Sequence, residues 1–321
     1  MDKREIAGCL DKWIHEINEH VVTDWTVHNK RQSDWSRQIQ CYEHKNPADT
    51  LKEVFCFSCS NWEEKFKEAT TGKGQEISRI MTLHSSALLA LLCFAGVSEE
   101  NPLHINGETY IESHFEVQNK VYSTPSNIDV VLIAKSGNRL FLESKFTEYL
   151  ESDTPRIKMA YLNFYQNLLP LIPHTPLEMI HPYLWKEKGE QITGFTIKPK
   201  SGKKEYLGGI KQCLSHIIGI SKGPANPDSE CWRGADENKD IKLTFGTILY
   251  KLPCPQFTSY KQLYSETIGV LKPDHIVKSF EDEPAPFASR LNILPEVLTY
   301  QDVFAENRNF LPTAIKKFYN L

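Results

Sequence analysis

Two apolar runs separated by a short polar turn constrain the fold of this chain more than any other feature. Residues 128–134 and 140–146 are rich in β-branched and large apolar residues, and residues 135–138 between them include a glycine. This pattern predicts a β-hairpin with a tight turn. Because the runs are apolar almost throughout, both strands are predicted to be buried on both faces within a larger sheet.

Three charged residues interrupt the apolar pattern: Asp129 in the first predicted strand, and Glu143 and Lys145 in the second. Side chains alternate along a strand, so Glu143 and Lys145 point to the same face. Burying a charge is costly unless it is paired or bound to a metal. An ordinary ion pair between Asp129 and Lys145 at a sheet end is one interpretation. The other is a catalytic site, with Asp129, Glu143 and the Ser144 carbonyl as Mg²⁺ (or Mn²⁺) ligands and Lys145 acting on water or phosphate.

The order of these residues resembles the PD-(D/E)xK nuclease superfamily. Ile128-Asp129 is followed, after the turn, by Glu143-Ser144-Lys145, although Asn127-Ile128 stands where the superfamily often has a proline before the Asp. The resemblance implies a restriction-endonuclease-like α/β core, with elements in the order α-β-β-β-α-β and a mixed central sheet flanked by helices. It also implies Mg²⁺-dependent hydrolysis of DNA phosphodiester bonds by an endonuclease, plausible in restriction or phage defence. Other Glu-x-Lys strings occur in polar surroundings, at 43–45, 63–65 and 237–239.

Three further residues are expected to assist the site, Glu116 from its position in the sequence and Glu148 and Gln212 from the resemblance. Glu116, on a predicted strand at 109–118, is a candidate extra carboxylate; its alternative is a solvated strand residue. Glu148 in Phe146-Thr147-Glu148 matches a string typical of one bacterial group and is expected to support Lys145 or the metal waters. Gln212 lies on a predicted helix at 206–220, where related nucleases carry a Gln-x-x-x-Tyr pair. His216 replaces the Tyr, so only Gln212 carries over; the alternative is a polar rim on an amphipathic helix.

The remaining pattern predicts two regions. Residues 1–74 form a helical N-terminal extension, and residues 75–321 form the nuclease-like domain. Further elements predicted in this domain are a long helix at 75–95, an inserted helix at 156–169, a strand at 241–252, a helix at 260–270, a proline-rich connection at 281–295, and C-terminal helices at 300–305 and 314–319.

A cluster of possible zinc ligands lies in the N-terminal region. Cys41 and His44 form one close pair, and Cys56 and Cys59 form another. This spacing suits a structural Zn²⁺ site, and with it a zinc-stabilised interaction protein as a rival function. The alternative is that the cysteines are small packing residues and the histidine is a surface polar residue.

Charge and composition set the remaining expectations. The net charge of −4 argues neither for nor against nucleic acid. A lysine-rich loop is expected to contact double-stranded DNA, although such loops are usually only solvated. Its lysines are Lys198, Lys200, Lys203 and Lys204. Eight scattered cysteines, a charged N-terminus and the lack of a long apolar run predict a cytoplasmic protein with no membrane partner. A homodimer is expected by analogy, and a nuclease fold that binds nucleic acid without cutting it is the other rival.

Overall fold

A computed structural model of the chain describes residues 1–27, 35–41, 45–71, 76–122, 124–172, 174–187, 190–235, 237–281 and 283–321. The α-helices are α1 Lys3–Ile17, α2 Pro47–Val54, α3 Trp62–Ala69, α4 Glu76–Ile80, α5 Ser86–Phe94, α6 Leu162–Leu168, α7 Leu207–Lys222, α8 Pro255–Thr267, α9 Pro273–Phe280, α10 Tyr300–Glu306 and α11 Thr313–Tyr319. The strands are β1 Thr23–Val27, β2 Trp35–Ile39, β3 Leu103–Ile105, β4 Glu108–Asn119, β5 Ser126–Ala134, β6 Arg139–Lys145, β7 Ile157–Lys158, β8 Leu177–Glu187, β9 Glu190–Pro199, β10 Leu243–Leu249, β11 Leu291–Ile293 and β12 Leu298–Thr299.

A mixed central sheet organises the molecule. Its strands lie in the order β11-β10-β6-β5-β4-β3, and β12 also pairs with β10. Strands β3, β4, β5 and β6 pair antiparallel with one another in turn, whereas β10 runs parallel to β6, and β11 and β12 run parallel to β10. The predicted α/β class with a mixed sheet is therefore confirmed, and so is the hairpin of β5 and β6.

Helices cover both faces of the sheet. Ser144 on β6 donates a hydrogen bond to the Ser86 carbonyl at the start of α5, at 3.2 Å. The neighbouring Glu143 accepts one from His216 on α7. Because consecutive strand residues face opposite sides, α5 and α7 lie on opposite faces of the sheet. This arrangement explains why β6 is buried along its whole length.

The predicted helix at 75–95 is wrong in one respect, because it is two helices. Helix α4 ends at Ile80, and Thr82 then forms a β-bridge with Gln38. Ser85 restarts the helix: its side chain accepts a hydrogen bond from the Leu88 N–H, as an N-cap residue does. The continuous apolar stripe predicts a single helix, but the pairing of Thr82 with a distant strand breaks it in two.

The N-terminal region is not purely helical, since β1 and β2 form an antiparallel hairpin between α1 and α2. It also packs on the rest of the molecule: Phe55 contacts Phe318 with ring centroids 5.1 Å apart, and both belong to the same hydrophobic cluster as the central sheet. Burial of aromatic surface between the two segments stabilises this contact.

The predicted inserted helix at 156–169 is confirmed over most of its length, because 3-10 helices at Met159–Tyr161 and Leu169–Leu171 flank α6, but its first residues are wrong. Residues 157–158 form β7, which pairs with β9, and only Leu162–Leu168 is α-helical. The hairpin of β8 and β9 completes a small sheet in the order β7-β9-β8, which the sequence pattern did not reveal. Helix α9 and strand β11 were also not predicted; β11 lies within the stretch taken as a connection. No helix in the described parts of the chain is both long and apolar enough to cross a bilayer.

A cluster of ionisable side chains joins the N-terminal region to β4. His114 Nε2 lies 2.7 Å from Glu112 Oε1, and its Nδ1 lies 3.2 Å from Glu68 Oε1 on α3. Burial alone would lower the pKa of His114, but the hydrogen bonds to the two carboxylates raise it above 6.5. The Glu68 carboxylate also accepts from the Phe115 N–H at 3.2 Å, so α3 is tied to both backbone and side chains of β4.

Candidate functional site

The site lies where β5 and β6 diverge. Their ladder pairs Ile133 with Arg139 and continues to Val130 and Leu142, so the next two residues in register are Asp129 and Glu143. Here the ladder stops, and the Ser144 N–H instead donates to Asp129 Oδ2 at 2.7 Å. Residues directly opposite each other in an antiparallel pair face the same side. The structure therefore brings the two predicted acidic residues together on one face.

Glu143 is the centre of a buried ion cluster. Lys145 Nζ contacts its Oε1 atom, and His216 Nε2 lies 2.5 Å from its Oε2 atom. The three side chains are only 1%, 4% and 5% exposed. The predicted placement of Glu143 and Lys145 on one face is thus observed, and the ion pair described for the lysine is with Glu143, not with Asp129.

His216 lies on α7, which places its imidazole in this cluster. Gly219, one turn further on, lets the helix approach the sheet: an added Cβ would lie 3.0 Å from the Asn119 Cβ and 3.3 Å from the Ser126 Cβ. At this close distance His216 Nδ1 lies 2.5 Å from Ser126 Oγ. Both ring nitrogens are therefore engaged, which fixes the orientation of the imidazole against Glu143.

The two carboxylates have opposite electrostatic situations. Burial would raise the pKa of Glu143, but the charges and hydrogen bonds of Lys145 and His216 outweigh it and hold the pKa at about 2. Burial raises the pKa of Asp129 well above its usual range, and the negative charge of Glu143 raises it further. Burial would lower the pKa of Lys145, yet Glu143 and the other nearby carboxylates raise it. Glu143 is thus firmly ionised, whereas Asp129 lies in a field of excess negative charge.

Glu116 contributes to that field. The register of β4 and β5 pairs Phe115 with Val130 and Val117 with Ile128, so Glu116 falls opposite Asp129. Its backbone has a φ of 49°, a left-handed conformation that is unusual for a non-glycine residue. The strict alternation predicted for this strand is interrupted earlier, by a register shift between Tyr110 and Glu112. Its carboxylate accepts a hydrogen bond from the Asn127 side chain at 3.2 Å. The charge of Glu116 also raises the pKa of Asp129, which agrees with a position beside the site.

Glu148 fixes the chain immediately after the site. One of its oxygens accepts from the N–H groups of Phe146 and Thr147 at 2.7 and 3.0 Å, and the other accepts from Ser86 Oγ at 2.6 Å. It therefore holds the turn that follows Lys145. The Ser144 N–H bonds Asp129, and its hydroxyl, on the opposite face of the sheet, donates to the Ser86 carbonyl and lies 2.8 Å from Tyr300 Oη.

Gln212 and His216 both lie on α7, which covers most of the helix predicted at 206–220. The resemblance assigned no role to His216, yet His216 is the α7 residue that bonds Glu143. Gln212 lies one turn earlier and lines, together with His216, a cavity of about 200 Å³. The sequence signal for His216 was its spacing of four from Gln212 and of three from the small residue Gly219.

The peripheral candidates lie elsewhere. Lys198 on β9 pairs with Glu178 at 2.8 Å, and Lys200, Lys203 and Lys204 are exposed in the following turn. Contact of these lysines with DNA stays a prediction.

Of the candidate zinc ligands, His44 lies outside the described residues. Cys41 and Cys56 are exposed, and Cys59 Sγ lies 2.7 Å from Asn61 Oδ1 and 3.2 Å from the Ala95 carbonyl. Within the described residues, no group of three or more His, Cys, Asp and Glu side chains is arranged to hold a metal ion. Zinc binding stays a prediction.

Comparison with known proteins adds no relative. No protein-family model, no curated protein and no solved structure matches the chain.

Proposed function

We propose that this protein is a divalent-metal-dependent nuclease of the PD-(D/E)xK kind that hydrolyses phosphodiester bonds in DNA. The observation that carries the proposal is the register of the central hairpin. Asp129 and Glu143 oppose each other where β5 and β6 diverge, and Lys145 contacts Glu143 from one pleat further along. Two facing carboxylates, one buried and one half-buried, with an adjacent lysine form a constellation suited to such a reaction.

The order of elements supports the same proposal. Helix α5 precedes the meander of β4, β5 and β6, and α7 precedes β10, which joins the sheet parallel to β6. This is the α-β-β-β-α-β order that the resemblance implies for a restriction-endonuclease-like core. Strand β3 and the small sheet of β7, β8 and β9 are additions to that order.

The donor set fits a hard divalent cation. Asp129 and Glu143 supply carboxylate oxygens, and Mg²⁺ is commonly held by one or two carboxylates while it keeps several waters. Each Glu143 oxygen already accepts one hydrogen bond, but a carboxylate oxygen has a second lone pair for a metal. When bound, the cation supplies a water of lowered pKa and neutralises charge on the phosphate.

The other side chains have roles that do not depend on the cation. Lys145 stabilises negative charge that develops on the phosphate oxygens, from a buried position where water screens it little. His216 holds Glu143 in one orientation, and Ser126 holds His216. Glu148 keeps the backbone after Lys145 in place.

The test is cleavage of supercoiled plasmid, single-stranded DNA and RNA after EDTA treatment, with and without added Mg²⁺ or Mn²⁺. We expect metal-dependent cleavage of DNA by the wild type and a loss of about 100-fold or more in Asp129→Asn, Glu143→Gln and Lys145→Met. Glu237→Gln and Lys239→Met are matched controls, because they alter the exposed 237–239 copy of the Glu-x-Lys string. Wild-type protein that cuts none of the substrates, or site variants that cut as well as the controls, would contradict the proposal.

One observation favours a second candidate function. Both oxygens of Glu143 are occupied by side chains in a nearly inaccessible cluster, which is also what a purely structural ion cluster looks like. A nuclease fold that binds nucleic acid without cutting it would give no metal-dependent product in the cleavage assay and would still bind DNA in a separate binding measurement.

A further inference from the structure

A basic cavity lies directly beside the candidate site. It has a volume of about 200 Å³ and lies between α7, the segment before β5 and the inserted segment around β7. His216 belongs to its wall and at the same time bonds Glu143, so a single side chain separates the cavity from the candidate catalytic carboxylate.

Among the described residues, the charged side chains that line the cavity are all basic. Arg156, Lys158 and Lys211 contribute three cationic groups, and among the described residues that line the cavity there is no Asp or Glu. This concentration is notable in a chain whose net charge is −4. Burial lowers the pKa of Lys211; Asp153 raises it in part, and the nearby charge of Lys158 lowers it again. Basic side chains gathered around one cavity favour an anion as its occupant.

The floor of the cavity is closed. Ile157 and Tyr165, which line it, are each only 1% exposed, and the Tyr165 ring packs edge-on against Phe195 with centroids 5.1 Å apart. A blind cavity accepts the end of a chain more readily than a strand that must pass through. Neutral donors also line it, namely the side chains of Gln212 and Ser215.

We infer that this cavity binds the terminal phosphate of a nucleic-acid strand. A phosphomonoester carries a charge of about −1.5 to −2 near pH 7, against −1 for an internal diester, and it presents three oxygens to donors. Three cations around a blind pocket match the dianion better than the diester. Arg156 offers a bidentate fork to phosphate, and the two lysines act as point charges.

The consequence is a substrate preference for strands with a phosphorylated end. The site of the bound phosphate lies one side chain from Glu143, so a strand anchored there presents its terminal nucleotides to the candidate catalytic residues. Only this consequence rests on the proposed function, because the binding itself does not require cleavage.

The experiment measures binding in EDTA, where no cleavage interferes. Fluorescence anisotropy compares short single-stranded DNA carrying a 5′-phosphate, a 3′-phosphate or hydroxyl groups at both ends, with the label placed internally. We expect at least one terminal phosphate to tighten binding about tenfold, which corresponds to about 1.4 kcal/mol. A nucleoside monophosphate is added as competitor, to distinguish a site for strand ends from a site for free nucleotides. Competition at micromolar concentration would assign the cavity to free nucleotides and overturn the inference for strands.

The variants locate the effect. Arg156→Gln, Lys158→Gln and Lys211→Gln combined should reduce the phosphate-dependent ratio to about one. The control Lys135→Gln removes an exposed charge from the hairpin turn and should leave the ratio at about ten. Arg156→Gln alone, at an exposed position, should lower the ratio in part and serves if the triple variant does not fold.

The two proposals fail in different ways. A wild-type ratio near one, or an undiminished ratio in Arg156→Gln and the triple variant, would overturn the cavity inference whatever the protein cleaves. A tenfold ratio in a protein that cuts no substrate would keep the inference and reject the nuclease.

Discussion

The ion cluster around Glu143 makes a quantitative prediction about stability in the metal-free protein. Replacing Lys145 by Met leaves the Glu143 carboxylate buried with His216 as its remaining partner. Replacing Glu143 by Leu leaves the ammonium of Lys145 buried without its nearest counter-charge. Removing one member of a buried ion pair typically costs 3–5 kcal/mol of stability.

The size of the effect also follows from the pKa of Glu143. Its pKa falls from 4.5 to about 2 on folding, which converts to about 3 kcal/mol of net stabilisation of the ionised form by its two partners after the cost of burial. Glu143→Leu also removes the charge that raises the pKa of Asp129, and this relief offsets part of the loss. We therefore expect about 3 kcal/mol for Lys145→Met and somewhat less for Glu143→Leu.

The double variant is the decisive measurement. Glu143→Leu combined with Lys145→Met removes both buried charges and fills the space with apolar groups, so it should cost less than Lys145→Met alone. The assay is urea unfolding followed by circular dichroism at pH 7 in EDTA, with equal m-values as the check on two-state behaviour. Additive losses, or single losses below about 0.5 kcal/mol, would refute the buried cluster as described.

Three further outcomes test other parts of the molecule. Folding raises the pKa of His114, so protonation of this residue stabilises the folded state fully below about pH 6.5. This stabilisation is lost as the pH rises through the higher pKa of the folded state. The stability difference between wild type and His114→Gln, measured by urea unfolding, should therefore shrink between pH 6 and pH 9. Gly269→Ala would place a Cβ 2.0 Å from the Pro295 carbonyl oxygen and should lower the melting temperature, whereas Gly8→Ala in α1, where nothing lies within 4 Å, should raise stability by about 0.5–1 kcal/mol. Ca²⁺ should tighten DNA binding by the wild type without cleavage, and Asp129→Asn should abolish this gain; an equal gain in the variant would show that the cation binds elsewhere.

The central hairpin was predictable because its determinants are local. Residues 128–134 and 140–146 are apolar on both faces, and the turn between them places Gly137 at a φ of 88°, a conformation that favours glycine. The facing positions of Asp129 and Glu143 then follow from the two-residue period of a strand. This part of the site needed no information from elsewhere in the chain.

The partner of Glu143 on α7 was not predictable in the same way. His216 lies 73 residues further along the chain, and the contact depends on how closely the helix approaches the sheet at Gly219. The resemblance to the PD-(D/E)xK nucleases predicted Gln212 and not His216, since the polar pair of that motif ends in a tyrosine. The break between α4 and α5 has a similar origin, because Thr82 forms a β-bridge with Gln38 of β2, more than 40 residues earlier in the chain.

The charges at the site decide what the fold can do with DNA. Asp129, Glu143 and Glu116 are three carboxylates on or beside one sheet face, against the cation of Lys145 and the imidazole of His216. Without a metal, the carboxylates offset the cation of Lys145, so the candidate catalytic residues present little net positive charge to attract a phosphodiester. The basic cavity next to His216 has the opposite sign and requires no metal. If both proposals are correct, the basic cavity attracts the strand and the neighbouring cluster around Glu143 hydrolyses it. His216 contacts both, because it lines the cavity and bonds Glu143.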